Sequence, residues 1–138
     1  MPGGGEKREL IETLCGYATF ADCGRDDVAA LVDAGGPFAL PAGWPLVQEG
    51  IPADACYVLT GGSARVFHQR EQIAEIGAGD LVGEMAFFEG GQRQATVTSA
   101  SRVTGLRIEN DSLRPVLENH PKLADAFTAV YDAHSAAS

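Results

Sequence analysis

The chain has 138 residues and a formal net charge of −9, from 10 Lys and Arg against 19 Asp and Glu. That length fits one domain around one core, and a hydrophobic content of 45% is ordinary for a globular protein. The acidic balance argues against a nucleic-acid-binding surface, no apolar run approaches the roughly 18 residues needed to span a bilayer, and residues 1–8 carry no apolar core behind their charges as a secretory leader would.

Gly3-Gly4-Gly5 predicts a flexible lead. Glu6 to Cys15 reads as a helix with Leu10, Ile11 and Leu14 on one face, ended by Gly16. A second helix is expected over Arg25 to Ala34, with Val28, Leu31 and Val32 apolar, Asp26 and Asp27 at its positive end, and Gly35-Gly36 as the stop. From Pro37 to Ile108 the pattern becomes short strands between glycine breaks: 38–40, 45–48, 55–60, 63–68, 72–76, 95–99 and 102–108. Both faces of several strands are apolar, which predicts a tightly wrapped sandwich or roll. Helical patterning then returns. Asp111 is expected to cap Ser112 to Glu118, with Pro115 in the first turn or so, and Pro121 to open a last helix reaching about His134. That helix carries Leu123, Phe127, Val130 and Tyr131 as its stripe, and residues 135–138 are expected to fray.

Cys15, Cys23 and Cys56 are odd in number and form no C-x-x-C pair, so they read as small buried hydrophobes rather than a disulfide frame or zinc site. Cytoplasmic placement is the default expectation from the lack of an apolar spanning run and of a leader-like start. His68, His120 and His134 are scattered, without the close spacing of a metal-binding cluster. Trp44 reads as a packing residue beside a turn, and Glu49 and Glu89 as solvated.

The run from Gly83 to Val97 (GEMAFFEGGQRQATV) carries the most chemistry. Gly83 lets a ligand approach the backbone, and Met85 and Ala86 open a short helix whose free amides can receive an anion. Arg93 can hold a phosphate through two parallel charge-assisted bonds. Ionised Glu84 only accepts hydrogen bonds, so it suits a sugar hydroxyl and repels a second phosphate. Alone, Arg93 would pass for a surface residue at a strand start and Glu84 for a capping acid. Together they describe a site for one ribose and one phosphate, that is, a cyclic nucleotide.

This stretch resembles the phosphate-binding cassette of cyclic nucleotide-binding domains, the regulatory modules of catabolite activator proteins, cyclic-nucleotide-dependent kinases and gated channels. The family pattern runs roughly Phe-Gly-Glu-Leu-Ala-Leu, a short variable segment, then Arg-Ala-Ala-Thr-Val. Gly83, Glu84, Ala86, Arg93, Ala95, Thr96 and Val97 match it in order. Pro41-Ala42-Gly43, Gln48-Glu49-Gly50, Asp54 to Gly62 and Gly79-Asp80 resemble the family's turns and strands, so the likeness runs from about Phe20 to Leu123. Gln94 stands where many relatives have Ala, Ser or Thr, which leaves base choice open, and residues 89–92 lack the common proline before the arginine.

The resemblance implies a mainly β fold: an antiparallel β-roll (double-stranded β-helix, or jelly roll) with N-terminal helices over 1–36, the roll over 37–108 with its cassette and short helix at 83–97, and two C-terminal helices over 109–138, in a single domain. It implies a non-catalytic sensor of cAMP, or else cGMP, with no cofactor beyond that ligand and no metal. Glu84 would take the ribose hydroxyl. Arg93 and the amides of Met85, Ala86 and Gln94 or Ala95 would take the cyclic phosphate. Gly83 would give close approach, and Val82 and Phe87 would flank the sugar. The family covers the base with a residue of the helix after the roll. Tyr131 is the candidate lid here, since it lies one turn beyond Phe127. Relatives that bind DNA carry a helix-turn-helix after that helix. This sequence ends at Ser138, so the expectation is a module acting through a protein partner, or a segment of a longer protein with a separate output domain, with a homodimer among the possible assemblies and no binding to nucleic acid or membrane. The competing expectation is the same fold used as an interaction module without ligand. An enzyme ranks third, for want of a nucleophile–base pair, a metal cluster or a spaced carboxylate pair.

Overall fold

A computed structural model describes residues 4–51, 54–90 and 95–137. Helix α1 (Gly4–Cys15), a 3-10 turn (Ala18–Phe20) and helix α2 (Arg25–Ala34) precede eight strands. These are β1 (Gly36–Leu40), β2 (Pro45–Val47), β3 (Ala55–Gly61), β4 (Ser63–His68), β5 (Glu71–Gly77), β6 (Leu81–Val82), β7 (Thr96–Ser99) and β8 (Val103–Glu109). Helix α3 (Glu84–Glu89) lies between β6 and β7, and helices α4 (Asn110–Asn119) and α5 (Pro121–Ala137) follow the strands.

The strands form two four-stranded sheets, in the orders β1-β8-β3-β6 and β2-β7-β4-β5, and every pairing is antiparallel. The crossing from β3 to β4 moves the chain from one sheet to the other at Gly62. Its φ is +81°, and a Cβ there would lie 2.1 Å from the Arg102 carbonyl oxygen, so only glycine fits the corner. The period-2 alternation of β3 and β8 explains why both of their faces are apolar. Cys56, Val58, Leu106 and Ile108 face a core shared with Leu14, Phe20, Val28, Leu31, Leu113, Leu117, Leu123 and Phe127 of the helices. Leu59 and Val103 face the other way, into a core between the sheets with Leu46, Val47, Ala64, Val82 and Val97. The first sheet is therefore a middle layer, covered by helices on one side and by the second sheet on the other.

Several local expectations change. Gly4 and Gly5 belong to the first turn of α1 rather than to a flexible lead, while Gly3 lies outside the described residues. Gly36 starts β1. Helix α4 begins at Asn110 after Glu109, which makes no side-chain cap, so Asp111 sits inside the first turn instead of capping it. Pro115 falls in the second turn of α4. There its missing amide gives up a bond within the helix, and the Asn119 Nδ2 donates to the Pro115 carbonyl at 2.9 Å. Helix α5 continues to Ala137, past the expected frayed tail, through good helix formers. Trp44 is 56% exposed, and what orders its turn is Ser99: the Trp44 amide donates to Ser99 Oγ at 2.9 Å, and that hydroxyl donates to the Pro41 carbonyl at 2.7 Å. Glu49 is half-buried, with its carboxylate accepting the Gln69 amide at 2.7 Å.

The helical layer is pinned by Asp27. One of its oxygens accepts the Gly24 amide at 2.8 Å, closing the start of α2, and the other accepts His120 Nδ1 at 2.9 Å, at the corner between α4 and α5. Those two bonds, the histidine's first, hold the Asp27 carboxyl below the usual carboxylate range.

Candidate functional site

Strand β6 pairs with β3 through Val82 opposite Tyr57 and Leu81 opposite Val58. It delivers the chain to Gly83, whose φ of 93° and ψ of 1° lie in the left-handed region. That conformation turns the backbone straight from strand into α3, and it favours glycine over any residue with a Cβ. Glu84 is the first residue of α3, directly after the N-cap Gly83. Its side chain is drawn inward: Glu84 is 1% exposed, beside Ala86 at 6%. A buried carboxylate needs a partner or a ligand. Here the partner is His134 of α5, whose Nδ1 donates to Glu84 Oε1. That bond raises the His134 pKa above its ordinary value, against the opposing effect of burial, and the charges of Glu84 and Asp80 push the same way.

The contact between α5 and α3 extends one turn back. Tyr131 donates its hydroxyl to Glu89 Oε2 at 2.8 Å, and its ring meets that of Phe88 at a tilt of 49°, with centroids 5.1 Å apart. Phe88 meets Phe87 edge-on at 5.3 Å, and the Arg114 guanidinium of α4 lies 5.1 Å from the Phe87 ring centre. Residues 127, 131 and 134 share one face of α5. Phe127, fully buried, anchors that face in the helical core, while Tyr131 and His134 reach α3.

Of the expected site residues, Gly83, Glu84, Met85 and Ala86 come together at the start of α3, with Tyr131 beside its C-terminal half. Ala95 is half-buried just ahead of β7. Arg93 and Gln94 lie outside the described residues. Glu89 is exposed, as expected, and its carboxylate also accepts the Tyr131 hydroxyl. Sequence reasoning missed His134. The available signal was its position seven residues after Phe127 and three after Tyr131, on the stripe that packs inward.

The sequence model of the cyclic nucleotide-binding domain matches residues 37–120, more than half of the chain. The chain belongs to that family. Its relatives include CRP-like transcriptional regulators and regulatory subunits of cAMP-dependent protein kinase. It is 27% identical over 126 residues to a CRP-like cAMP-activated global transcriptional regulator of Mycobacterium tuberculosis, covering 88% of this chain and 56% of the regulator. The chain thus spans about half the length of that curated relative. Two solved structures share the fold. The cAMP-bound regulatory domain of Toxoplasma gondii protein kinase A has a TM-score of 0.82 at 17% identity, over 94% of this chain and 49% of that one. The regulatory subunit of a cAMP-independent protein kinase A from Trypanosoma brucei has a TM-score of 0.81 at 18% identity, over 94% of this chain and 50% of that one. Among the described residues no group of His, Cys, Asp or Glu is arranged to hold a metal ion, and no helix is long and apolar enough to cross a membrane.

Proposed function

We propose that this chain is a non-catalytic, cytoplasmic sensor domain that binds cAMP in preference to cGMP and passes the signal through its C-terminal helices to a protein partner or a separate output domain. The observation that carries the reading is Glu84, an acid 1% exposed at the first residue of α3, behind a left-handed Gly83. Burying a carboxylate there is costly for a purely structural role and serves a ligand that offers hydroxyls. Glu84 takes the ribose hydroxyl. The first amides of α3, at Met85 and Ala86, take the cyclic phosphate with Arg93 and the amide of Gln94 or Ala95, and Gly83 leaves room for the sugar. Tyr131, already beside α3, closes over the base. The name of the mycobacterial relative supports cAMP as the ligand. Calorimetric titration with cAMP, cGMP and 5′-AMP tests this. The expected order is cAMP first, then cGMP, with 5′-AMP weakest because its second phosphate charge faces Glu84.

A second reading has its own observation. The Glu84 carboxylate is engaged from within by His134, and the fold is shared with the regulatory subunit of a cAMP-independent kinase. On that reading the domain is an interaction module with its ligand site closed. Failure of both cyclic nucleotides to bind at millimolar concentration would select it.

A further inference from the structure

The acid assigned to the ribose is the acid that α5 holds. Glu84 is nearly sealed from water, and its Oε1 accepts from His134 Nδ1. A ribose hydroxyl and an imidazole N–H are both donors, so a ribose seated on Glu84 meets a carboxylate whose Oε1 the imidazole already engages. The imidazole side is accessible: His134 has 45% of its side chain exposed, against 2% for Glu84. The histidine does not act alone, because Tyr131 fastens the preceding turn of α5 to α3 through Glu89 and Phe88. We propose that the last turns of α5 form a proton-controlled latch on the cassette, in which His134 occupies Glu84 in the free domain and a cyclic nucleotide binds by displacing the imidazole from that carboxylate. This rests on the assignment of Glu84 to the ribose.

The charges around the latch fix the direction of its pH response. From α3 come Glu84 and, one turn on, Glu89. From the turn before β6 comes Asp80, and from α4 comes Arg114 over the Phe87 ring. The acids acting on His134 favour its protonated form, in which the bond to Glu84 is charge-assisted. A histidine whose pKa is raised by its partner contributes the full latch energy below its ordinary value of about 6.5 and loses it as pH rises through the raised value. Displacing the imidazole returns His134 toward that ordinary value, so ligand binding releases a proton inside the same window. Nucleotide affinity must therefore rise with pH across the window and level off above it.

The test measures cAMP affinity of the full chain from pH 6 to 8.5, alongside His134→Ala. The wild-type affinity is expected to rise severalfold, bounded at about tenfold per unit of displaced pKa. His134→Ala is expected to bind more tightly than wild type at pH 6 and to show a flat profile. Calorimetry in buffers of different ionisation enthalpy should detect the released proton for wild type and none for the variant. Equal profiles for the two proteins, or weaker binding by His134→Ala at pH 6, would overturn the latch. If neither protein binds any cyclic nucleotide, the functional assignment falls and the latch falls with it as a ligand gate. The NMR titration of the His134 ring then still decides the contact itself: an ordinary pKa in wild type removes it, whereas a raised pKa that returns to ordinary in Glu84→Gln leaves a closed structural clasp.

Discussion

On the proposed assignment, Arg93 and Glu84 divide the work of the site by charge: one holds the phosphate, the other the ribose hydroxyl. Arg93→Ala is expected to weaken cAMP binding more than any other single change. A charge-assisted bidentate contact to phosphate in a partly dry pocket contributes on the order of 2–4 kcal/mol, about thirtyfold to a thousandfold in affinity. Glu84→Ala should cost less, because it gives up one bond to a neutral hydroxyl and at the same time frees the domain of the His134 contact. Calorimetry on the two folded variants checks the ordering, and an Arg93→Ala protein with parental affinity would remove Arg93 from the site. At this scale the sequence was readable where chemistry is local. Gly83 and Glu84 are adjacent, and the short helix expected from Met85 and Ala86 is there, starting one residue earlier at Glu84; the left-handed turn at Gly83 came only with the structure. The stripe of α5 could have placed His134 on the inward face, but its pairing with Glu84 was not readable, because that partner lies 50 residues earlier and meets it only after α5 has docked on α3.

Among the elements, the patterned ones were legible, down to the three-residue β2 and the four-residue β7, and two of the shortest were not. Helix α2 and strands β3, β4 and β8 fall within a residue or two of the apolar patterns that announce them. The two-residue β6 and the 3-10 turn at Ala18–Phe20 are too short to show a period, and β6 exists because β3 offers it an edge to pair with. The corner made by Asp27 is a further case. Its acid was expected to serve the positive end of α2, and it also holds His120 at the start of α5. Asp27→Ala should lose about 1 kcal/mol and lower Tm by roughly 3–5 °C near neutral pH. Since the Asp27 pKa is depressed in the folded state, this contribution is present above about pH 4 and fades as pH falls through the folded value. Melting curves of both proteins should thus converge in acid, and a difference that persisted there would assign the loss to packing instead. Helix α5 carries an element-scale prediction of its own. Deleting residues from 129 onward keeps Leu123 and Phe127, both fully buried, so the fold should survive. The deletion removes the proposed latch and the proposed lid together. Association should quicken because His134 is gone, and release should quicken by about tenfold because Tyr131 no longer covers the base, a flat apolar surface whose burial contributes on the order of 1–3 kcal/mol. Stopped-flow traces separate the two rates, and an unchanged off-rate would take the lid role away from Tyr131.

For the whole molecule, the order of helices, roll and helices follows from one requirement, that the middle sheet be covered on both faces. The sequence announced this through strands apolar on both sides, and it left open which residues face which layer, because Val58 and Leu59 look alike until the sheets are placed. The surface is as one-sided in charge as the interior is two-sided in packing. Ten basic residues stand against 19 acidic ones. Several of the bases are also spoken for locally: Lys7 pairs with Asp33 at 3.3 Å, Arg25 with Glu12 at 3.8 Å, and Arg107 with both Asp54 at 3.3 Å and Glu109 at 3.5 Å. Such exposed pairs add little stability, but each one cancels a positive charge that a phosphate backbone would need. The mycobacterial relative is a transcriptional regulator, so DNA binding is the natural thing to test for. This 138-residue chain, at a net charge of −9, is expected to show no specific affinity for duplex DNA with or without cAMP. Neutralising Arg93 in the cassette with cAMP would only make the surface more acidic. A gel shift that survives moderate salt and excess competitor DNA would contradict this, and would require a basic surface built from two or more copies of the chain.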